Sequence, residues 1–432
     1  MGTVDAARGF LGMTMAFHIF FALFGVGIPL MASLAELIGI IKKDKDFITM
    51  ARRWVFAMTV LFVVGAISGT IVSVVFVVLL PPFMAIVSKA IILPFNLETY
   101  AFFLEAIFLG IYAYTWDRFK TPWIHWLTSL PIIIGSLASA FFITTVNAFM
   151  STPQGFTDIN GVIANVNQWT AMFNPTTSNE TTHSILAYYA TTAFVFAAVA
   201  AFQFIRKGKI DAEGYRKKML VFSLLVAIVF SLAVVVSGDT SARSIAHNEP
   251  EKFATMEGVM QTESDAPLTL GGITTPSGIK DGIRIPGMLS FLVGGSRQVI
   301  VIGLNAFDPS TWPELTIHYY FDGMAVIGFI MLGVPILFFA LWEWRRRWAF
   351  SKIVLWAIWI TGVLSIIGVE LGWMLTEEGR QPYTIRGFLL TANAFTNSPV
   401  AIAYAVIFPI LYIVLSIVTP WVLVSHYRKH RL

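Results

Sequence analysis

Hydrophobic residues gather along this chain into long runs that polar connections separate. A run of about twenty apolar residues is long enough for an α-helix to cross a bilayer hydrocarbon core about 30 Å thick. About nine runs meet this requirement, and they lie near residues 10–41, 54–80, 97–116, 123–150, 181–205, 219–237, 313–342, 350–376 and 398–424. The pattern predicts an all-α fold, a polytopic bundle of about nine transmembrane helices.

Two connections between these runs are much longer than the others. Residues 151–180 are rich in Thr and Asn, and residues 238–312 carry glycines and charges. Connections of that length rarely occur in a compact protein without a function of their own. We therefore divide the chain into residues 1–237 with six predicted helices, a long loop at 238–312, and residues 313–432 with three further helices.

Basic residues are concentrated on alternate connections. Those connections and the C-terminal tail contain 20 of the 29 lysines and arginines, including Lys209 and Arg431, whereas residues 151–180 contain none. Because cytoplasmic loops are enriched in Lys and Arg, the alternation predicts that the N-terminus and both long loops face outward. The C-terminus is then cytoplasmic, and the number of spans is odd.

The composition agrees with a membrane protein and excludes several chemistries. Hydrophobic residues make up 56% of the 432 residues, and charged residues make up 12%. The net charge of +4 reflects the basic connections, so we predict no nucleic-acid partner. The chain has no cysteine, which excludes disulfides, thiolate nucleophiles and iron–sulfur clusters, so any metal or cofactor must be held by His, Met or carboxylates.

Candidate metal ligands in the apolar runs share one depth. Of the seven histidines, only His18 and His183 lie within apolar helical sequence. At 1.5 Å per residue, four candidate ligands lie about 31 to 37 Å from the basic cluster at the cytoplasmic end of their own predicted helix: His18, His183, Met324 and Glu377. All four therefore lie near the outer edge of the hydrocarbon core. Taken singly, each histidine could instead hydrogen-bond a neighbouring helix, and Met324 could simply pack.

The residue types in this set suit haem iron. A His with a Met forms a low-spin haem pair, whereas a single His or a carboxylate leaves a coordination position open for a gas. Two other haem proteins are excluded by what the sequence lacks. A di-haem cytochrome b needs paired histidines on one helix, and a haem–copper oxidase needs a histidine cluster with an adjacent pair, and the chain has neither.

Carboxylates inside the apolar runs are a second feature. Glu98 and Glu105 are seven residues apart, as are Glu370 and Glu377, so each pair lies on one helix face. Carboxyl groups at membrane depth are costly and often carry protons. Glu105 lies about 20 Å from Arg118, between the cytoplasm and the level of the candidate ligands. A structural hydrogen bond across helices explains Glu105 and Glu370 equally well.

Several motifs resemble one family over almost the whole chain. The stretch "GWMLTEEGRQPY" at 372–383 resembles the signature of subunit I of the cytochrome bd-type quinol oxidases. Three further stretches resemble the same family in the same order: "AFFLEAIFLGIYAYTWDR", "ITTVNAFMSTPQGF" and "GDTSARSIAHNEPEKFATMEG".

The resemblance implies three haems near the outer face. His183 and Met324 would be the axial ligands of a low-spin haem b that receives electrons from quinol. His18 and Glu377 would ligate two high-spin haems, one a haem b and the other a haem d or a third haem b, where oxygen is reduced to water.

The resemblance also implies roles for other polar residues. Glu98 would lie beside the oxygen-reducing haem, and Glu105 with Asn147 would belong to a proton path. In the long loop, Lys252 and Glu257 match positions associated with quinol oxidation, where a carboxylate can accept a proton that quinol loses.

Two more matches and one departure concern the haem edges. Trp373 and Arg380 match positions beside the haems, where a guanidinium can pair with propionates. The family often has an Arg two residues before the Met ligand, and this chain has Asp322 there. The loop also lacks the insertion of long-loop members, so we expect a divergent branch with a short quinol loop.

These resemblances imply a terminal respiratory oxidase subunit in a bacterial cytoplasmic membrane. It would oxidise menaquinol or ubiquinol, reduce O2 and generate a proton gradient without pumping. Its partners would be a cytochrome bd-type subunit II and, as a further candidate, a small single-helix subunit. Two alternatives are a haem-bearing quinol electron-transfer or sensor protein without oxidase activity, and a proton-coupled transporter.

Overall fold

A computed structural model describes residues 3–159, 162–207, 214–396, 398 and 400–429. Lys209 and Arg431, which belong to two of the basic clusters, lie outside these residues. The described ranges form helices α1 to α15, whose bounds are Thr3–Lys42, Lys45–Leu79, Pro81–Ala90, Ile92–Tyr114, Pro122–Leu127, Ser129–Ser151, Gln168–Met172, Thr177–Lys207, Tyr215–Asn248, Pro250–Glu257, Met288–Gly294, Ile317–Ala349, Lys352–Glu378, Thr391–Ala394 and Val400–Lys429.

Nine helical segments within the described ranges are long and apolar enough to cross a membrane. They are α1, α2, α4, α5 with α6, α8, α9, α12, α13 and α15. The predicted all-α class and the predicted nine spans are therefore confirmed. The predicted orientation stays a prediction.

Two helices extend well beyond their apolar runs. Helix α2 begins at Lys45 rather than near 54, because the Asp44 side chain caps it by accepting a hydrogen bond from Asp46 N at 2.9 Å. Helix α9 continues past 237 to Asn248, and Pro250 follows two residues later. Hydropathy identifies only the apolar, membrane-embedded length of a helix, so it misses polar turns at the helix ends.

The spanning helices pack as two groups of four, α1, α2, α4 and α6 against α8, α9, α12 and α13, while α15 lies along α1 and α2. One apolar core runs through both groups. Close backbone approach brings α4 and α6 together, since a Cβ at Gly135 would lie 2.8 Å from Glu105 N. Helix α15 buries little of its surface within this chain.

Small strands occur only in the connections among the described residues, as four antiparallel pairs. They are β1 (Thr157–Ile159) with β2 (Val162–Ala164), β3 (Leu268–Leu270) with β6 (Ile283–Ile285), β4 (Ile273–Thr275) with β5 (Gly278–Lys280), and β7 (Tyr383–Ile385) with β8 (Leu389–Leu390).

The long loop folds into a cap with its own apolar core. Phe253 and Met256 of α10 pack there with Leu304, and the cap core reaches Ile317 of α12 and Leu375 of α13. His318 fastens the cap, because its Nδ1 lies 2.8 Å from Met256 O and its Nε2 lies 3.2 Å from Gly271 O. The cap is thereby held over the end of the second helix group.

Candidate functional site

A cavity enclosed by α8, α9, α12 and α13 contains two of the predicted ligands. His183 of α8 and Met324 of α12 both line it, together with Trp373 of α13 and Lys252 of the cap. Gly372 leaves room for the thioether, since a Cβ there would lie 3.0 Å from Met324 Sδ. An imidazole and a thioether facing one mostly apolar cavity fit the ligand set of a low-spin haem iron.

Both predicted histidine ligands contact a serine on the next spanning helix. His183 Nδ1 lies 2.9 Å from Ser237 Oγ of α9, and His18 Nδ1 lies 3.0 Å from Ser68 Oγ of α2. In each case the other ring nitrogen remains available for a metal. The two environments are alike although the histidines lie in different helix groups.

Glu377 belongs to a compact polar cluster at the end of α13. Asn147 Nδ2 donates a short hydrogen bond to one carboxylate oxygen, and Arg380 donates to the other at 2.7 Å. Arg380 also donates to Asn147 Oδ1 at 3.2 Å and to Ser151 Oγ at 3.4 Å. The Glu377 side chain remains 38% exposed, so its carboxylate is oriented without being enclosed.

Two residues of this cluster have further expected roles, and those roles stay predictions. Asn147 was expected to join Glu105 in a proton path, and within the described ranges its side-chain bonds go to Glu377 and Arg380. Arg380 was expected at haem propionates. It pairs with Glu377, while its buried Nε has no hydrogen-bond partner among the described atoms and remains available for an anionic group.

Glu98 and Glu105 both lie on the side of α4 that faces α6. Glu98 accepts a hydrogen bond from Ser139 Oγ at 3.0 Å. Glu105 is buried where Gly135 of α6 meets the backbone of α4. Among the described residues, no hydrogen bond connects either glutamate to Asn147.

Lys252 and Glu257 occupy helix α10 of the cap and are both buried. Lys252 Nζ donates to Glu249 Oε2 at 3.3 Å, and its stem packs against Gly379 beside Arg380. Glu257 Oε2 has no hydrogen-bond partner in the part of the chain that the structure describes. Burial raises the pKa of Glu257 to about 8, and the nearby Asp322 carboxylate acts in the same direction.

Asp322 of α12 also holds the cap in place. Its carboxylate accepts a hydrogen bond from Gly271 N and lies 3.3 Å from His318 Nε2. The Asp322 carboxylate, at the position where the resemblance led us to expect an arginine, thus contacts the loop. Met324, two residues later, lines the cavity.

Several buried polar residues were not found from the sequence. Glu180 lies one turn before His183 and lines the same cavity, with a buried Oε1 that lacks a hydrogen-bond partner among the described atoms. Its spacing of three residues from His183 was an available signal. Tyr188, also on α8, accepts a hydrogen bond from Trp373 Nε1 at 2.9 Å.

The prediction that only His18 and His183 lie within apolar helical sequence was wrong. His125 and His318 also lie in helices and are buried. His125 Nδ1 lies 2.6 Å from Glu36 Oε1, and Tyr112 Oη donates to the other oxygen of Glu36 at 2.5 Å. Glu36 is therefore held in a buried polar cluster.

Comparisons with known proteins agree over the full length. The family model described as cytochrome bd terminal oxidase subunit I matches residues 6–431. A Bacillus subtilis (strain 168) protein named "Putative cytochrome bd menaquinol oxidase subunit I" is 38% identical, covering 100% of this chain and 98% of that protein. Another protein of that strain, cytochrome bd ubiquinol oxidase subunit 1, is 27% identical over 99% of this chain and 94% of its own length. The structure of bd oxidase from Geobacillus thermodenitrificans superposes with a TM-score of 0.94, 39% identity and 99% coverage of both chains.

Proposed function

This chain belongs to the family of subunit I of the cytochrome bd terminal oxidases, and from that membership we propose specific roles for its buried ligands and charges. The family makes it a subunit of a membrane quinol oxidase, an oxidoreductase, with homologues in bacteria. Haem groups, when bound, would supply the one-electron carriers and the iron at which O2 is reduced to water. We propose three haems, two of type b and a third of type d or b.

His183 and Met324 are the residues proposed to hold the iron of the low-spin haem b. Their shared cavity is the observation that carries the proposal, because it brings ligands from α8 and α12 together with Lys252 of the cap. Trp373, held by its hydrogen bond to Tyr188, forms another part of the wall. A quinol bound at the cap would therefore give up its electrons beside this cavity.

His18 and Glu377 are the proposed ligands at the two high-spin haems. The Glu377 carboxylate is held by Asn147 and Arg380, so its orientation is set before a metal binds. The remaining buried Nε of Arg380 suits an anionic propionate. An iron held by one protein ligand would keep a coordination position open for O2.

Quinol oxidation is proposed at the cap. A quinol loses two protons and two electrons, and Glu257 would take one proton at Oε2 while Lys252 stays paired with Glu249. The remaining proton leaves to the outer aqueous phase. Of the two quinols named for the relatives, menaquinol is favoured because the more similar relative carries that name.

Protons for water formation are proposed to pass along α4 and α6 from the opposite side. Glu105 would hold a proton at mid-depth, and Glu98, bonded to Ser139, would hold it nearer the oxygen-reducing haem. Asn147 would end this path at Glu377. Proton release outside and uptake from inside build a gradient without a pump.

The proposed partners follow from family membership and from uncovered surface. A subunit II is expected, with a small single-helix subunit as a further candidate. Helix α15 buries little of its apolar surface within this chain, so it offers area for such a contact.

Haem analysis of the purified complex tests the proposed function. Pyridine haemochrome spectra should give haem b with haem d, or haem b alone, at three haems per complex. Carbon monoxide should shift the spectrum of the reduced complex, because a high-spin haem has an open position. Haem without a carbon monoxide shift would favour an electron-transfer or sensor protein, and a preparation without a Soret band would favour a transporter.

A further inference from the structure

The two proposed histidine ligands have the same local partner, and this inference rests on the proposed function of His18 and His183. Each imidazole faces a serine hydroxyl through Nδ1, at 3.0 Å for Ser68 and 2.9 Å for Ser237. Both serines lie on the spanning helix that follows the histidine helix in the chain. Each serine is followed by glycine, in "AISGT" and "VVSGD".

Each serine hydroxyl donates its hydrogen to a backbone carbonyl one turn earlier in its own helix. Ser68 Oγ donates to Gly65 O at 3.0 Å, and Ser237 Oγ donates to Val234 O at 3.1 Å. A hydroxyl has one hydrogen and two lone pairs, so each Oγ must accept from the imidazole. We therefore assign the imidazole hydrogen to Nδ1 in both His18 and His183.

This bond decides which ring nitrogen can bind a metal. A neutral imidazole with hydrogen on Nδ1 has its lone pair on Nε2, which is the atom left for iron in both histidines. The serine on the neighbouring helix thus selects one tautomer and one ring orientation of each histidine before any cofactor binds.

A glycine follows each serine and lies beside the imidazole ring. A Cβ at Gly69 would lie 3.1 Å from His18 Cε1, closer than an ordinary contact. A Cβ at Gly238 would lie 3.4 Å from His183 Cε1, at ordinary van der Waals distance. Gly69 is therefore needed for the close approach of the His18 ring, whereas a Cβ at position 238 would be tolerated beside His183.

We propose that Ser68 and Ser237 are positioning residues, each fixing the tautomer and ring plane of one iron-ligating histidine, at the high-spin and the low-spin haem respectively. The acceptor is a neutral hydroxyl in both cases, whereas a carboxylate there would give the imidazole more anionic character. Neither serine contacts the iron. They act through the histidines.

The first test concerns Ser237 in the purified complex of subunits I and II. Ser237→Ala removes the acceptor, weakens the donor strength of His183 and should raise the midpoint potential of the low-spin haem, with the high-spin haems unchanged. Ser237→Thr keeps a hydroxyl and should restore the original potential. Ser231→Ala is the matched control, because Ser231 lies buried on the same helix and its Oγ has no hydrogen-bond partner among the described atoms.

The second test concerns Ser68 and uses a vibrational signature. Ser68→Ala should lower the iron–histidine stretching frequency of the reduced high-spin haem in resonance Raman spectra and leave the low-spin potential unchanged. Ser73→Ala is the control, since Ser73 lies on the same helix and, among the described residues, its hydroxyl bonds only Gly69 O.

The inference is wrong if Ser237→Ala leaves the low-spin potential unchanged, if Ser231→Ala shifts it equally, or if Ser68→Ala leaves the iron–histidine frequency in place. The proposed function fails in a different way. In that case the unaltered complex lacks haem bands, or His183→Ala keeps the low-spin spectrum.

Discussion

Glu257 provides a prediction with a worked pH dependence. Its carboxyl group is buried in α10, lacks a hydrogen-bond partner at Oε2 among the described atoms and lies near the Asp322 carboxylate. These surroundings disfavour the anion and raise the pKa from an ordinary value of 4.5 to about 8. A group proposed to accept a proton from quinol must first be ionised.

The size of the pH effect on the rate follows from the ionised fraction of Glu257. With a pKa of about 8, roughly one-tenth of Glu257 is ionised at pH 7, about half at pH 8 and about nine-tenths at pH 9. Because the active form is the anion, the rate of quinol oxidation should rise about fivefold from pH 7 to pH 8 and approach a plateau above pH 9. With an unshifted pKa, the same rate would be flat above about pH 6.

The assay is steady-state quinol-dependent oxygen uptake by the purified complex, followed from pH 6 to pH 9.5. Glu257→Gln should be slow and should lose the rise centred near pH 8, while its haem spectrum stays intact. Glu263→Gln, at an exposed carboxylate of the same loop, should keep the original profile. A Glu257→Gln enzyme with the original rise, or an unaltered enzyme with a flat profile, would refute the reasoning.

Three further predictions concern packing, the cap and the Glu377 cluster. Gly135→Ala forces a Cβ into the α4 backbone and should cost about 1–3 kcal/mol, seen as a lower Tm, whereas Gly110→Ala meets open space and should leave the Tm unchanged or slightly higher. Asp322→Ala removes the contacts between α12 and the cap. It should raise the KM for quinol and speed proteolysis of the loop without changing the haem spectrum. An unchanged KM would count against the role of Asp322 in holding the cap. Arg380→Gln leaves Glu377 without its cation and should reduce high-spin haem content. Arg380→Lys should be less affected. Full haem content in both variants would contradict the proposed orientation of Glu377.

Hydropathy was sufficient for the number of spans but not for where helices end. The apolar run of the second span begins near 54, yet the Asp44 cap starts α2 at Lys45. Likewise, α9 keeps its helical hydrogen bonding through a polar segment to Asn248, supported by the Asp239–Arg243 pair at 2.9 Å. Caps and side-chain pairs decide these boundaries, and neither appears in an average over twenty residues.

The candidate site was predictable where depth or a motif identified a residue. His183 and Met324 could be matched by their distance from basic clusters, and the structure brings both to one cavity. Lateral neighbours could not be identified in this way. Ser68 and Ser237 gain meaning only because α2 and α9 pack beside the histidine helices.

Glu36 and His125 show the same limit at the other end of the first helix group. They lie 89 positions apart and meet in a buried pair that no local pattern predicts. Asp322 illustrates a different limit, because its departure from the family motif was visible while its use as an anchor for the cap was not. Contacts between distant segments require the packed structure.

The central claim is that side chains from separate helices hold haem iron near one face of the bundle. Its most direct test is the reduced-minus-oxidised spectrum of the purified complex carrying His183→Ala, compared with the unaltered complex. The account predicts that the low-spin haem b band is lost while carbon monoxide still binds at the high-spin site. A low-spin band that survives this substitution, or an unaltered complex that is colourless, would contradict it.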